Sequence, residues 1–178
     1  MPPIIDGIVL AAGAGRRRGQ PKALVDGWLE EAVHLLLQGG CVRVVVVLGA
    51  GADEAHALLP SDDRVHAVLA ERWADGVGES LRTGLAHATG DAVLVTLVDL
   101  PGTPVSVVER VLGASGSLRQ AVFDGRPGHP VLIARDHWEP LAQTLTGDRG
   151  ARAYLRAHGV TEVECGDLHH GRDVDGAT

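Results

Sequence analysis

Residues 8–24 read IVLAAGAGRRRGQPKAL, and their composition is that of a loop built to hold an anion. An apolar run at 8–11 breaks at Gly13 and Gly15, and Arg16, Arg17 and Arg18 follow. Gly19 and Pro21 shape the exit, and Lys22 stands at its end. Glycine has no Cβ, so a loop containing it can pass close to a ligand. A bent run of backbone N–H groups forms an anion nest. Cations packed this densely repel one another unless something negative sits among them, and a phosphate chain is the obvious candidate. The same residues also describe an ordinary glycine-rich turn with exposed arginines.

A second candidate is Asp99 in LVDLPGTP, residues 97–104, placed at the tip of an apolar strand that Pro101 stops. A carboxylate there can hold magnesium, the usual companion of nucleotide phosphates, or it can simply cap a turn. A third is GVGESLRTGL, residues 76–85, where Ser80 and Arg82 fall at a helix start. Free N–H groups point outward there. Ser80 could reach a base or ribose, and plain capping by Ser80 with a solvated Arg82 reads equally well. In the tail, Asp173 and Asp175 alternate along an extended segment and so face the same way, toward one metal. The competing reading is an acidic frayed terminus. His169 and His170 have no His or Cys at metal-site spacing.

Two phosphate motifs fail. A P-loop needs Gly-Lys followed by Ser or Thr, whereas Gly19 is followed by Gln20 and Lys22 by Ala23. The dinucleotide fingerprint fits Gly13, Gly15 and Gly19 with one residue too many, and the second strand, VVVVLGAG, has no acid at its tip. The arginines would nevertheless suit a 2′-phosphate, so a nicotinamide-binding oxidoreductase stays open as a rival.

The elements that must position these groups alternate between strand and helix patterns, which argues for a largely parallel α/β sheet. Strands are expected at 4–11, 42–48, 65–69, 92–98, 119–123, 129–134 and 160–165. Helices are expected at 29–38, 52–59, 78–88, 105–112, 136–145 and 151–157. DGRPG, residues 124–128, reads as a turn between two strands that form an antiparallel edge. The chain of 178 residues is long enough for one domain with a real core, and no linker divides it, so 1–178 is read as a single domain. Net charge is −7, and the one dense basic cluster, Arg16, Arg17, Arg18 and Lys22, is local to the opening loop, which argues against nucleic acid and for a small anionic ligand. No apolar run approaches membrane-spanning length. Two isolated cysteines and no secretory pattern lead to an expected cytoplasmic location. Oligomeric state leaves no mark in the sequence.

Taken in order, these segments resemble the nucleotidyltransferases that attach a nucleotide to molybdopterin. The opening match is Leu10-Ala11-Ala12-Gly13, Arg17-Arg18-Gly19 and Pro21-Lys22, with Arg18 where the family usually has methionine. The resemblance implies a three-layer, Rossmann-like nucleotidyltransferase fold with a mainly parallel sheet. It implies that Leu10, Ala11, Ala12, Gly13, Gly15, Lys22, Ser80 and Arg82 bind a nucleoside triphosphate, CTP by the AAG and PK wording, with GTP or another nucleotide and a different phosphorylated acceptor as the alternative. Lys22, Arg16 and Arg18 would be catalytic. Asp99 with Asp173 and Asp175 would hold Mg2+ or Mn2+. GRPGHPVLI (125–133) and GDRGAR (147–152) resemble acceptor-side segments, which implies His129, Arg149 and Arg152 as contacts to a phosphorylated acceptor, molybdopterin by resemblance. The tail departs from the family's pattern at Gly176-Ala177, and VDGWLEEAV after Lys22 is compressed.

Overall fold

The computed structural model describes residues 1–174. Its seven strands are β1 (Ile5–Ala11), β2 (Arg43–Leu48), β3 (Val65–Leu69), β4 (Ala92–Leu97), β5 (Leu118–Phe123), β6 (Arg126–Ala134) and β7 (Thr161–Glu164). They form one sheet in the order β3-β2-β1-β4-β6-β5-β7. Every neighbouring pair is parallel except those involving β6, which runs antiparallel to both β4 and β5. The expected hairpin is therefore present in the outer half of the sheet. β7 pairs with β5 and takes the outermost position, which the sequence pattern did not indicate.

Six α-helices cover the sheet: α1 (Trp28–Gly39), α2 (Ala52–Ala57), α3 (Val77–His87), α4 (Val105–Gly113), α5 (Trp138–Thr144) and α6 (Arg152–Ala157). Strand side chains alternate between faces, and β1 sorts them accordingly. Val9 and Ala11 join one apolar cluster with Leu29, Val33 and Leu36 of α1 and Val107, Val108 and Val111 of α4. Ile8 and Leu10 join the other, with Leu81 and Leu85 of α3, Leu141 of α5 and Leu155 of α6. Both faces of the inner strands are thus buried, which explains why β2 and β4 read as nearly unbroken apolar runs.

The topology fixes where a ligand can sit. From β1 the chain winds outward through β2 to β3, then returns across β1 to lay down β4 on its other side. The strand order reverses between β1 and β4. In open α/β sheets that reversal leaves a crevice at the strands' C-terminal ends. The Gly13–Lys22 segment follows β1 and Asp99 follows β4, so both converge on it.

Candidate active site

The crevice is a cleft of about 530 Å3, floored by Leu10 to Gly15 and walled by Arg16, Arg17, Lys22, Trp73, Ser80 and Asp99 among others. The loop after β1 folds back on itself: the N–H groups of Arg18 and Gly19 donate to the Gly15 carbonyl at 2.9 and 3.0 Å. Gly15 has φ +60°, and a Cβ there would collide with the carbonyl oxygen of Gln20. Gly13 faces open space. The first glycine thus leaves room for a ligand and the second permits the loop itself. Pro21 then starts a short 3-10 turn, Lys22–Leu24, anchored by fully buried Ala23. That turn aims Lys22 across the cleft.

Asp99 lies just beyond β4, 7% exposed, and its Oδ2 accepts a hydrogen bond from Lys22 Nζ at 2.5 Å. The tail reaches the same place. The N–H of Val174 donates to the Asp99 carbonyl at 2.9 Å, and Gly171 packs so tightly on Phe123 that no Cβ would fit. Asp173 is thereby carried to the neighbourhood of Asp99. Asp175 lies outside the described residues. Magnesium is commonly held by one or two carboxylates together with the phosphates of its nucleotide, and Asp99 with Asp173 fits that donor set. Among the described residues no cluster of three or more His, Cys, Asp or Glu could hold a metal alone, so the phosphates would have to complete the shell.

The start of α3 forms the opposite wall. Gly76, Val77 and Ser80 line the cleft, with Ser80 buried, so the positive end of this helix faces the cleft. The GDRGAR loop packs onto that helix start: the Gly78 N–H donates to the Gly147 carbonyl at 3.0 Å, and a Cβ on Gly78 would meet the Arg149 carbonyl oxygen at 2.8 Å. The two motifs are therefore one structural unit, and it delivers Asp148 to the cleft.

Three expected contacts are not brought to the cleft. Arg82 turns away: its guanidinium pairs with Glu79 and donates to the carbonyls of Leu145 and, at 3.1 Å, Ala142. It braces α3 to the C-terminal end of α5, where exposed carbonyls attract a cation. Arg18 lies over the Trp28 ring, 4.7 Å from its centre, while Arg16 and Arg17 line the cleft. Arg149 is exposed, with its backbone bridged to Thr146, and lines neither this cleft nor the adjoining cavity.

His129 and Arg152 do share a space. Both line a second cavity that adjoins the cleft, together with Gln120 and Arg126, which the sequence reading left out. Burial pushes the His129 imidazole down to about 4, with nearby Asp99 pulling the other way. Without a ligand the ring is therefore neutral at neutral pH. Trp73 also escaped the sequence reading. It sits on a short 3-10 turn, Trp73–Asp75, and lies against Gly49, where a Cβ would come within 2.6 Å of its side chain. It is the cleft's only aromatic among the lining residues, a flat surface of the kind on which a ring can stack.

Comparison with known proteins agrees with this geometry. Residues 7–163 match the family described as the MobA-like NTP transferase domain. Nicotine blue oxidoreductase of Paenarthrobacter nicotinovorans is 37% identical over 190 residues, covering 97% of this chain and 93% of its own length. Molybdenum cofactor guanylyltransferase of Rhodobacter capsulatus is 32% identical over 142 residues, covering 75% of this chain and 65% of its own. The crystal structure of Rv0371c from Mycobacterium tuberculosis H37Rv superposes with a TM-score of 0.81 at 26% identity, covering 99% of this chain and 95% of the other; that protein has also been crystallised in complex with manganese. With a glycine–arginine loop and an acidic strand tip meeting at the switch point of this sheet, the chain belongs to the MobA-like NTP transferase family and is classed with the nucleotidyltransferase enzymes.

Proposed function

We propose that the protein transfers a nucleoside monophosphate from a nucleoside triphosphate, CTP by the wording of its loop, to a phosphorylated small molecule. The observation that carries this reading is the Lys22–Asp99 pair at the mouth of the Gly13–Gly15 loop. Here one group suited to phosphate and one suited to its metal stand in contact. Lys22, Arg16 and Arg17 hold the phosphate chain over the loop's N–H groups, and Ser80 and Trp73 hold the nucleoside end. Magnesium or manganese at Asp99 and Asp173 supplies further neutralisation of the phosphates when bound. An oxygen of the acceptor phosphate attacks the α-phosphorus in line, the bond from that phosphorus to the bridging oxygen of the β-phosphate breaks, and pyrophosphate leaves. The acceptor phosphate is already ionised, so no strong general base is required, and the rate comes from positioning and charge neutralisation. Molybdopterin is the acceptor that the loop wording puts first in a test panel. The buried, unbridged thiols of Cys41 and Cys165 suit a reducing, cytoplasmic setting. Among the described residues no helix is long and apolar enough to cross a membrane.

One observation favours a second reading. A relative named as an oxidoreductase matches nearly the whole chain, and the arginines of the opening loop could receive the 2′-phosphate of NADPH. Against it, β2 runs out through Leu48, Gly49, Ala50 and Gly51 with no acid to hold a ribose. A thermal-shift panel of CTP, GTP, ATP, UTP and NADPH, with and without magnesium, separates the two. A ligand at a hundred times its dissociation constant stabilises the fold by about 2.7 kcal/mol. Magnesium-dependent stabilisation by one triphosphate, followed by pyrophosphate release with an acceptor, is the expected result. Stabilisation by NADPH alone, indifferent to magnesium, would replace nucleotidyl transfer with hydride transfer.

A further inference from the structure

The cleft does not end at Asp99. Leu10, Val77 and Leu97 line both it and a second cavity of about 480 Å3 enclosed by α3, α6 and the β4–β6 part of the sheet. That volume suits a small organic molecule. Its wall is made by Leu81, Val95, Val131, Ile133 and Leu155, each no more than 4% exposed and each part of the apolar core on this side of the sheet. Polar groups are few. The Gln120 side-chain amide already donates to the Gly128 carbonyl at 3.2 Å. His129 faces the cavity, and Arg126 and Arg152, both exposed, give it a positive rim.

A polyol would leave most of its polar atoms unpaired against this wall, and each unpaired buried group costs binding. A hydrocarbon-like ring loses nothing there and gains from leaving water. We propose that the second cavity selects the acceptor by its body: a phosphate monoester whose non-phosphate part is a ring system with a broad apolar face, rather than a sugar. This rests on the reading that the Asp99 cleft holds the nucleotide. The shared residues Leu10, Val77 and Leu97 then place the body of the acceptor directly beside the donor.

The test is binding of three probes to the full chain by calorimetry, without nucleotide: 1-naphthyl phosphate, glucose 1-phosphate and inorganic phosphate. 1-Naphthyl phosphate is expected to bind at least tenfold more tightly than the other two. Val77→Asp, at a position 40% exposed and therefore safe for the fold, sets a carboxylate on the apolar wall and is expected to weaken naphthyl phosphate at least tenfold. Arg152→Glu, on the exposed rim, is expected to weaken it as well. Equal or tighter binding of glucose 1-phosphate would overturn the proposal, as would naphthyl phosphate binding untouched by both substitutions. Turnover plays no part in this measurement, so an absence of pyrophosphate release would count against nucleotidyl transfer alone.

Discussion

Lys22 and Asp99 are 77 residues apart in the chain and meet at 2.5 Å between Nζ and Oδ2. Asp99 lies just beyond β4 and Lys22 on the turn that closes the loop after the adjacent parallel β1, and the contact is made inside a cleft where both side chains are largely shielded, 10% and 23% exposed. Each therefore has a structural task, and under the proposed function a chemical one as well. Removing the ammonium leaves a shielded carboxylate facing its neighbours alone, a loss of about 1–3 kcal/mol. It also removes a cation from the phosphate site. Lys22→Ala should thus lower turnover by about 100-fold or more and lower the melting temperature modestly. Asp99→Asn keeps the shape and a hydrogen-bonding oxygen for Lys22. It should lose the magnesium dependence of nucleotide stabilisation while the fold survives. Turnover by either purified variant near the parent's level would count against the assignment of this pair.

The two glycines of the opening loop should separate folding from binding. At Gly15 the backbone is left-handed and a Cβ meets Gln20, so Gly15→Ala strains the free protein, by about 1–2 kcal/mol from the backbone conformation alone. At Gly13 a Cβ meets nothing. Gly13→Ala should leave chemical denaturation unchanged and weaken triphosphate binding, because the methyl group occupies space that a phosphate would use. Denaturation curves and nucleotide titrations on the two variants settle it. A Gly13→Ala protein that binds as the parent does would move the phosphate chain off this part of the loop.

How much of this was written in the sequence differs by element. The inner strands were legible because burial on both faces forces unbroken apolar runs such as VVVVL in β2. The hairpin was legible because Asp124 and Gly125 supply the two positive φ values that a tight turn demands. The position of β7 beyond β5 was not, since a short strand with one buried residue carries no record of its neighbour. Gly13, Gly15, Lys22 and Asp99, legible from their chemistry and from strand tips, line one cleft. Arg82 was misplaced for a reason the sequence did contain. Residues two apart on a helix point to different sides, so once Ser80 faces the cleft, Arg82 faces α5. Trp73 was missed because a lone aromatic on an irregular turn has no period to announce it, although a tryptophan shortly before a glycine-rich helix start was a signal worth weighing.

That geometry yields a prediction of opposite character for Arg82. Its guanidinium ties Glu79 of α3 to the last carbonyls of α5. Arg82→Ala leaves those carbonyls and the largely shielded Glu79 carboxylate without the guanidinium, and stability should fall by about 1–3 kcal/mol. Triphosphate affinity, measured at a temperature where both proteins are folded, should change less than twofold. A large loss of affinity with unchanged stability would restore Arg82 to the nucleotide site.

Cys41 gives a pH signature. It lies between α1 and β2, 3% exposed, and burial together with nearby Asp6 pushes its thiol up to about 12 from an ordinary value of 9.0. Below the ordinary value the thiol is neutral in both folded and unfolded chains and has no pH-dependent effect. Above it the unfolded chain releases the proton and the folded one keeps it, so stability falls as pH rises from about 9 toward 12. The slope is at most about 1.4 kcal/mol per pH unit from this group. Cys41→Ala removes that slope and adds a constant cost for the small cavity. Urea denaturation of both proteins at neutral pH and near pH 10 should therefore show the parent losing more stability than the variant over the interval. Parallel losses would mean that the Cys41 thiolate is tolerated in the folded core, and the fall at alkaline pH would then belong to other groups.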